Sequence, residues 1–141
     1  MSGVSSISLN VKTIDHITLV VKDLEQSAVF YRDILGMEPK ERPKFGFPGL
    51  WFQAGATQIH MNVEGEEAGP AGLPPFTGTK PARGLHFAFE VDDCDAAAEH
   101  LRQANIEIVA GPRSRPDGAR QLYIHDPDGY LIEITSSAPA N

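Results

Sequence analysis

"IDHITLVVKDLEQSAVFYRDIL" (14–35) sets a strand in front of a helix, and "GLHFAFEVDDCDAAAEHLRQANIEI" (84–108) repeats the plan. In the first copy a run rich in β-branched residues leads to Asp23, a residue type whose carboxylate caps helix N-termini. Leu24, Ala28, Tyr31, Ile34 and Leu35 then recur at helical spacing, and Gly36 is a natural stop. In the second copy Asp93 takes the cap position, "CDAAAEHLRQA" forms the helix and Asn105 ends it. His16 and His86 are offset by 70 residues, and Asp23 and Asp93 by the same 70. An internal repeat of this kind decides the architecture before any finer detail.

After each helix the chain returns as short strands. In the first half these lie around "EPKERP", "GLWFQAG" and "TQIHMNVE"; in the second, around "IEIVAGP", "RQLYIHD" and "GYLIEITS". "PDG" (116–118) and "DPDG" (126–129) mark turns. The expected fold is α+β: two βαβββ modules, at 14–64 and 84–136. A Gly- and Pro-dense linker or flap covers 65–83, with tails at 1–13 and 137–141.

The chain has 141 residues, enough for one domain with a real core. A net charge of −7, without a basic cluster beyond Arg113, Arg115 and Arg120, argues against nucleic acid or an anionic membrane as partner. The single cysteine, Cys94, excludes an internal disulfide framework and suits a reducing, cytoplasmic compartment. No apolar stretch approaches membrane-spanning length, and the N-terminal tail lacks the order of a signal peptide.

Strand alternation assigns faces. His16, Thr18 and Val20 oppose Ile17, Leu19 and Val21; His86, Ala88 and Glu90 oppose Phe87, Phe89 and Val91. In the closing strands Gln58, His60 and Asn62 oppose Ile59 and Met61, and Glu133 opposes Ile132 and Ile134. Under the repeat His16 therefore matches His86, and His60 matches Glu133. A lone strand histidine is more often a hydrogen-bonded core residue than a ligand. Four such residues at equivalent positions point instead to one concave centre holding a divalent metal such as Ni, Zn, Fe, Mn or Co.

"DHITLVVKDLEQSAVFYRDILGM", "TQIHM", "GLHFAFEVDD" and "YIHDPDGYLIEIT" together resemble the vicinal oxygen chelate superfamily. That group includes glyoxalase I, methylmalonyl-CoA epimerase, extradiol dioxygenases, fosfomycin-resistance enzymes and bleomycin-resistance proteins. The resemblance implies an open, U-shaped sheet with helices outside, a metal at His16, His60, His86 and Glu133, and a homodimer with modules paired within or between chains. In glyoxalase I and the epimerases the His60 position is usually Glu or Gln, so histidine there is a departure. The implied chemistry is that of a glyoxalase-like lyase or isomerase. Its small substrate would carry two adjacent oxygens and pass through a metal-stabilised enolate. An extradiol-type Fe(II) dioxygenase and a non-catalytic drug-binding resistance protein are the alternatives. No glutathione-binding set of residues is recognisable.

Glu133 is the first candidate for the base, as the resemblance implies, and Glu90 on the same cavity face the second. Tyr123 and Gln121 share a face and are candidate pocket residues, with Gln58 on the strand of His60. Arg120, in a group with Arg113 and Arg115, is a candidate anion partner. Trp51, with Phe45, Phe47 and Phe76, is a candidate aromatic wall. His100, Cys94 and His125 read as structural or exposed.

Overall fold

The computed structural model describes residues 8–74 and 76–138; the outer parts of both expected tails lie outside the described residues. Among the described residues eight strands form two four-stranded sheets, ordered β1-β4-β3-β2 and β5-β8-β7-β6. The first contains β1 (His16–Val21), β2 (Glu38–Lys40), β3 (Gly49–Ala54) and β4 (Thr57–Val63). The second contains β5 (Phe87–Glu90), β6 (Ile108–Ser114), β7 (Arg120–His125) and β8 (Leu131–Ser136). In each sheet the first strand runs parallel to the last and the remaining pairs are antiparallel, so both modules are βαβββ.

Both helices begin where an aspartate can satisfy a free backbone N–H. Asp23 accepts from the Gln26 N–H at 3.0 Å and Asp93 from the Ala96 N–H at 3.1 Å. α2 (Cys94–Gln103) is regular and ends at Asn105, whose φ of 60° is the left-handed stop expected of asparagine. α1 is α-helical only over Leu24–Ala28 and continues as a π-helix over Val29–Ile34. The wider turn coincides with two consecutive buried aromatics, Phe30 and Tyr31, packed edge to face at 5.0 Å. Gly36, at φ 75°, closes it.

One core serves both modules. Leu19, Val21, Phe52, Ile59 and Met61 of the first sheet join Leu122, Ile124, Ile132 and Ile134 of the second, with Phe30, Tyr31, Ala98 and Leu101 between them. The turn "DPDGY" fastens the modules together. Tyr31 donates to Asp126 Oδ2 at 2.7 Å, the Lys22 N–H donates to Asp128 Oδ1 at 3.0 Å, and the Tyr130 hydroxyl donates to the Val20 carbonyl at 2.8 Å. Tyr130 also accepts from the Gly72 N–H, so the segment between the modules is tied to the same hydroxyl. That segment carries a short 3-10 helix, Pro81–Arg83. His100 donates from Nε2 to the Ile34 carbonyl at 2.8 Å, a structural contact between the two helices. Among the described residues no helix is long and apolar enough to cross a membrane.

Candidate metal and substrate site

Because each sheet turns its apolar face to the shared core, its histidine-bearing face looks away from that core. On the first sheet Thr18 pairs with His60 and His60 with Trp51, which sets His16, His60 and Trp51 side by side on one face. Their rings form a stack: His16 to His60 at 4.1 Å, and His60 to Trp51 at 4.0 Å with only 2° between planes. On the second sheet Ala88 pairs with Glu133 and Glu133 with Tyr123. Glu133 Oε1 accepts from the Tyr123 hydroxyl at 3.1 Å and lies 3.1 Å from His86 Nε2.

The hydrogen bonds decide which nitrogens are free. His86 Nδ1 lies 2.8 Å from the Gly84 carbonyl, which can only accept, so Nδ1 carries a proton. In the neutral ring Nε2 then offers a lone pair towards a carboxylate oxygen, an arrangement that needs a cation or an added proton between them. His16 repeats this orientation: its Nδ1 lies 2.7 Å from Asp15 Oδ2, leaving Nε2 free. Holding one imidazole N–H on a carbonyl or carboxylate is how metal-binding histidines are oriented. His60 differs, since its Nε2 meets Gln58 Oε1 at 2.9 Å and Nδ1 is left. Burial, then the neighbouring His16, lowers the His60 pKa and favours the neutral ring.

Glu133 is buried, and its Oε2 has no hydrogen-bond partner; Arg115 Nη1 approaches to 3.7 Å, an ion-pair distance beyond hydrogen bonding. Tyr123 is pushed up to about 12, chiefly by burial and then by the Glu133 charge, and so remains a neutral donor. The donor set suits a divalent ion: free imidazole nitrogens and an orphaned carboxylate oxygen. One chain, however, supplies it in two halves, His16 with His60 and His86 with Glu133. Among the described residues no group of three His, Cys, Asp or Glu side chains could hold a metal. Within one chain the four candidate ligands thus stand as two pairs, one on each sheet, and the sequence alone leaves open whether the modules pair within or between chains.

Other candidates divide similarly. Trp51 and Gln58 touch His60, and Tyr123 touches Glu133, while Gln121 is buried on the Tyr123 face. Arg120 is corrected: it lies on the opposite face of β7, with Leu122, and pairs with Asp95 of α2 at 2.6 Å. Glu90 is exposed and accepts from Ser137 at 3.0 Å. Arg115, which also grips Asp117, takes the place beside Glu133. His125 is half-buried, and its Nε2 lacks a partner.

A family model described as the Glyoxalase/Bleomycin resistance protein/Dioxygenase superfamily matches residues 13–134. The chain belongs to that superfamily. Among curated members it is 31% identical to the ethylmalonyl-CoA/methylmalonyl-CoA epimerase of Cereibacter sphaeroides, over 86% of this chain and 95% of the relative. It is 34% identical to a virulence protein of Salmonella typhimurium, over 92% and 88%. Among solved structures, a glyoxalase/dioxygenase from Nostoc punctiforme superposes with a TM-score of 0.74 at 27% identity, covering 98% of this chain and all of the other. The superfamily thus includes enzymes on the same scaffold, with differing named activities.

Proposed function

We propose that the protein is a divalent-metal-dependent lyase or isomerase of vicinal oxygen chelate type, acting on a small substrate with two adjacent oxygens. In this reading the centre is assembled between two copies of the chain. His16 and His60 come from one copy, and His86 and Glu133 from the other. The observation that carries it is the division of the four candidate ligands into two oriented pairs, one on each sheet.

The surfaces needed for such an assembly are present. β1 and β5 are the outer strands of their sheets, and the outer edge of β1 is held only at Val20, by Tyr130 and Gly72, among the described residues. Ile14 and Leu85, next to those strands, are 61% and 81% exposed. Between the modules lies a cavity of about 1020 Å³, lined by Ile17, Leu35, Ile59, Phe87, Phe89 and Leu101. A second copy seated along these edges buries that apolar surface.

When bound, a divalent ion would supply Lewis-acid chemistry, gripping two neighbouring substrate oxygens and stabilising negative charge on them. The protein's own groups do the rest. Glu133 would be ligand and base in turn: Oε2, the oxygen without a hydrogen-bond partner, would leave the ion to accept the proton from the substrate carbon, while Oε1 stays held by Tyr123. Arg115 balances the charge of the carboxylate. His16 and His86 are oriented by Asp15 and Gly84. Glu90, at the exposed end of β5, is set aside as the base. The buried, free thiol of Cys94 accords with work in the cytoplasm.

Complementation tests the reading. His60→Ala and Glu133→Gln chains are unfolded together, refolded as a mixture, and assayed for bound metal and for proton exchange at the α-carbon of 2-hydroxyketones. Each variant alone should bind little metal. Half of randomly paired dimers are mixed, and each mixed dimer has one intact site. The mixture should therefore regain roughly a quarter of wild-type metal. No recovery from a mixture shown to contain mixed dimers would refute the shared site.

A further inference from the structure

The loop between β2 and β3, residues 41–48, holds an aromatic structure that the metal reading leaves unused. Phe45 and Phe47 stack with centroids 5.4 Å apart, and both remain nearly half exposed. The Arg42 guanidinium lies 4.8 Å from each ring centroid, a double cation–π contact. It fits because β3 begins with glycine: a Cβ on Gly49 would stand 2.9 Å from the guanidinium carbon and 2.7 Å from the Met61 carbonyl oxygen. Arg42 Nη2 is buried without a hydrogen-bond partner, so the rings are the principal company of this cation.

This loop delivers Phe45 to the histidine face. Phe45 lies 6.2 Å from Trp51, Trp51 is stacked on His60, and His60 on His16. Together with Asp15 and Gln58 these four residues line a cavity of about 550 Å³. One wall is therefore an aromatic shelf running outward from the candidate ligands.

We propose that this shelf selects substrates whose two adjacent oxygens are attached to a planar aromatic group. Phe45 and Trp51 contact the ring, and Arg42 is a positioning residue that holds the loop. The inference rests on the reading of His16 and His60 as metal ligands and narrows its substrate class. A flat ring slides against Phe45 and Trp51 while the oxygens beside it reach the ligand pair, whereas an aliphatic substituent leaves those faces wet.

Trp51 is the single tryptophan of the chain, so its emission reports on this wall. Zinc-loaded full-length protein is titrated with mandelate and with lactate, two α-hydroxycarboxylates that differ by a phenyl for a methyl group. Mandelate should bind about tenfold more tightly, as expected for one buried aromatic contact. In Phe45→Ala the preference should fall to within about twofold. Arg42→Met should lose it likewise, while Arg42→Lys, which keeps a cation over the rings, should largely retain it. Zinc content and oligomeric state are measured for each variant. Equal wild-type affinities for the two acids would overturn the shelf and leave the metal site standing. A change of oligomeric state in Phe45→Ala would assign the shelf to a protein contact and also overturn it. If neither acid binds although zinc does, both the shelf and the chelating site fail.

Discussion

Tyr31 donates its phenolic proton to Asp126 across 95 residues of chain, at 2.7 Å and out of contact with water. The bond joins the first module's helix to the last turn of the second. Burial raises the Asp126 carboxyl above its ordinary 3.8, while hydrogen bonds from Tyr31 and from the Tyr130 and Asp128 backbones pull it partly back. The folded pKa thus exceeds the unfolded one. This carboxyl's contribution to stability is fully present below the unfolded value and is lost as pH rises through the folded value. Tyr31→Phe removes one group that favours the carboxylate and widens the gap. The variant should lose about 1–3 kcal/mol at pH 7 and distinctly less near pH 4, measured by urea unfolding at both. An equal loss at the two pH values would show that Asp126 does not depend on Tyr31 for its charge.

Tyr130 performs a different service in the same turn. Its hydroxyl donates to the Val20 carbonyl and accepts from the N–H groups of Val20 and Gly72, so one oxygen pins β1, the turn that leads into β8 and the segment between the modules. Tyr130→Phe takes this partner from the Val20 N–H and leaves the Gly72 N–H and the Val20 carbonyl only their mutual 3.2 Å bond, in a largely dry place, and should cost about 1–3 kcal/mol. Hydrogen exchange should quicken at Val20 and Gly72 before it quickens in β7. Unchanged exchange at those two amides would rule out the pinning role.

The repeat, the helix caps and the face on which each histidine lies were legible in the sequence, because they rest on local rules. Asp23, Asp93 and Asn105 act within a few residues of themselves, and strand alternation sets His16 opposite Ile17 and Leu19. The same alternation sets Arg120 with Leu122 and Ile124, away from Tyr123, and would have excluded it from the pocket. How the two sheets turn relative to each other was not legible. That depends on long-range contacts such as Tyr31–Asp126 and Tyr130–Val20, which periodicity does not encode. The π-helical turn was hidden because its apolar spacing also fits an α-helix. Arg42 was hidden because its seat is a missing side chain, that of Gly49, brought close by a loop.

Gly49→Ala tests that seat. The added methyl group meets the Met61 carbonyl oxygen, which is sheet backbone, as well as the guanidinium. The arginine can swing out, but the carbonyl can move only with β4. A loss of about 1–3 kcal/mol in thermal unfolding is expected, with altered Trp51 emission as the stacked loop is displaced. A stable variant with unchanged emission would mean that Arg42 does not depend on this gap.

Glu133 separates a functional residue from a structural one. Its carboxylate is buried, with one oxygen shared between Tyr123 and His86 and the other without a hydrogen-bond partner. Burying such a charge is unfavourable unless it is fully paired, and Arg115 at 3.7 Å pairs it only loosely. Glu133→Gln removes the charge while its amide oxygen can still accept from Tyr123. Without metal the variant should therefore melt at the same temperature as wild type or slightly above it. A ligand that binds only the folded protein stabilises it by about 2.7 kcal/mol at one hundred times its Kd, so saturating zinc or nickel should raise the wild-type melting temperature. That rise should vanish in Glu133→Gln and be reversed in wild type by a chelator. If the ion bridges two chains, the wild-type midpoint should also rise with protein concentration. A variant that is weakened without metal yet keeps its metal-dependent rise would make Glu133 a structural carboxylate, and the ligand set would have to be sought elsewhere.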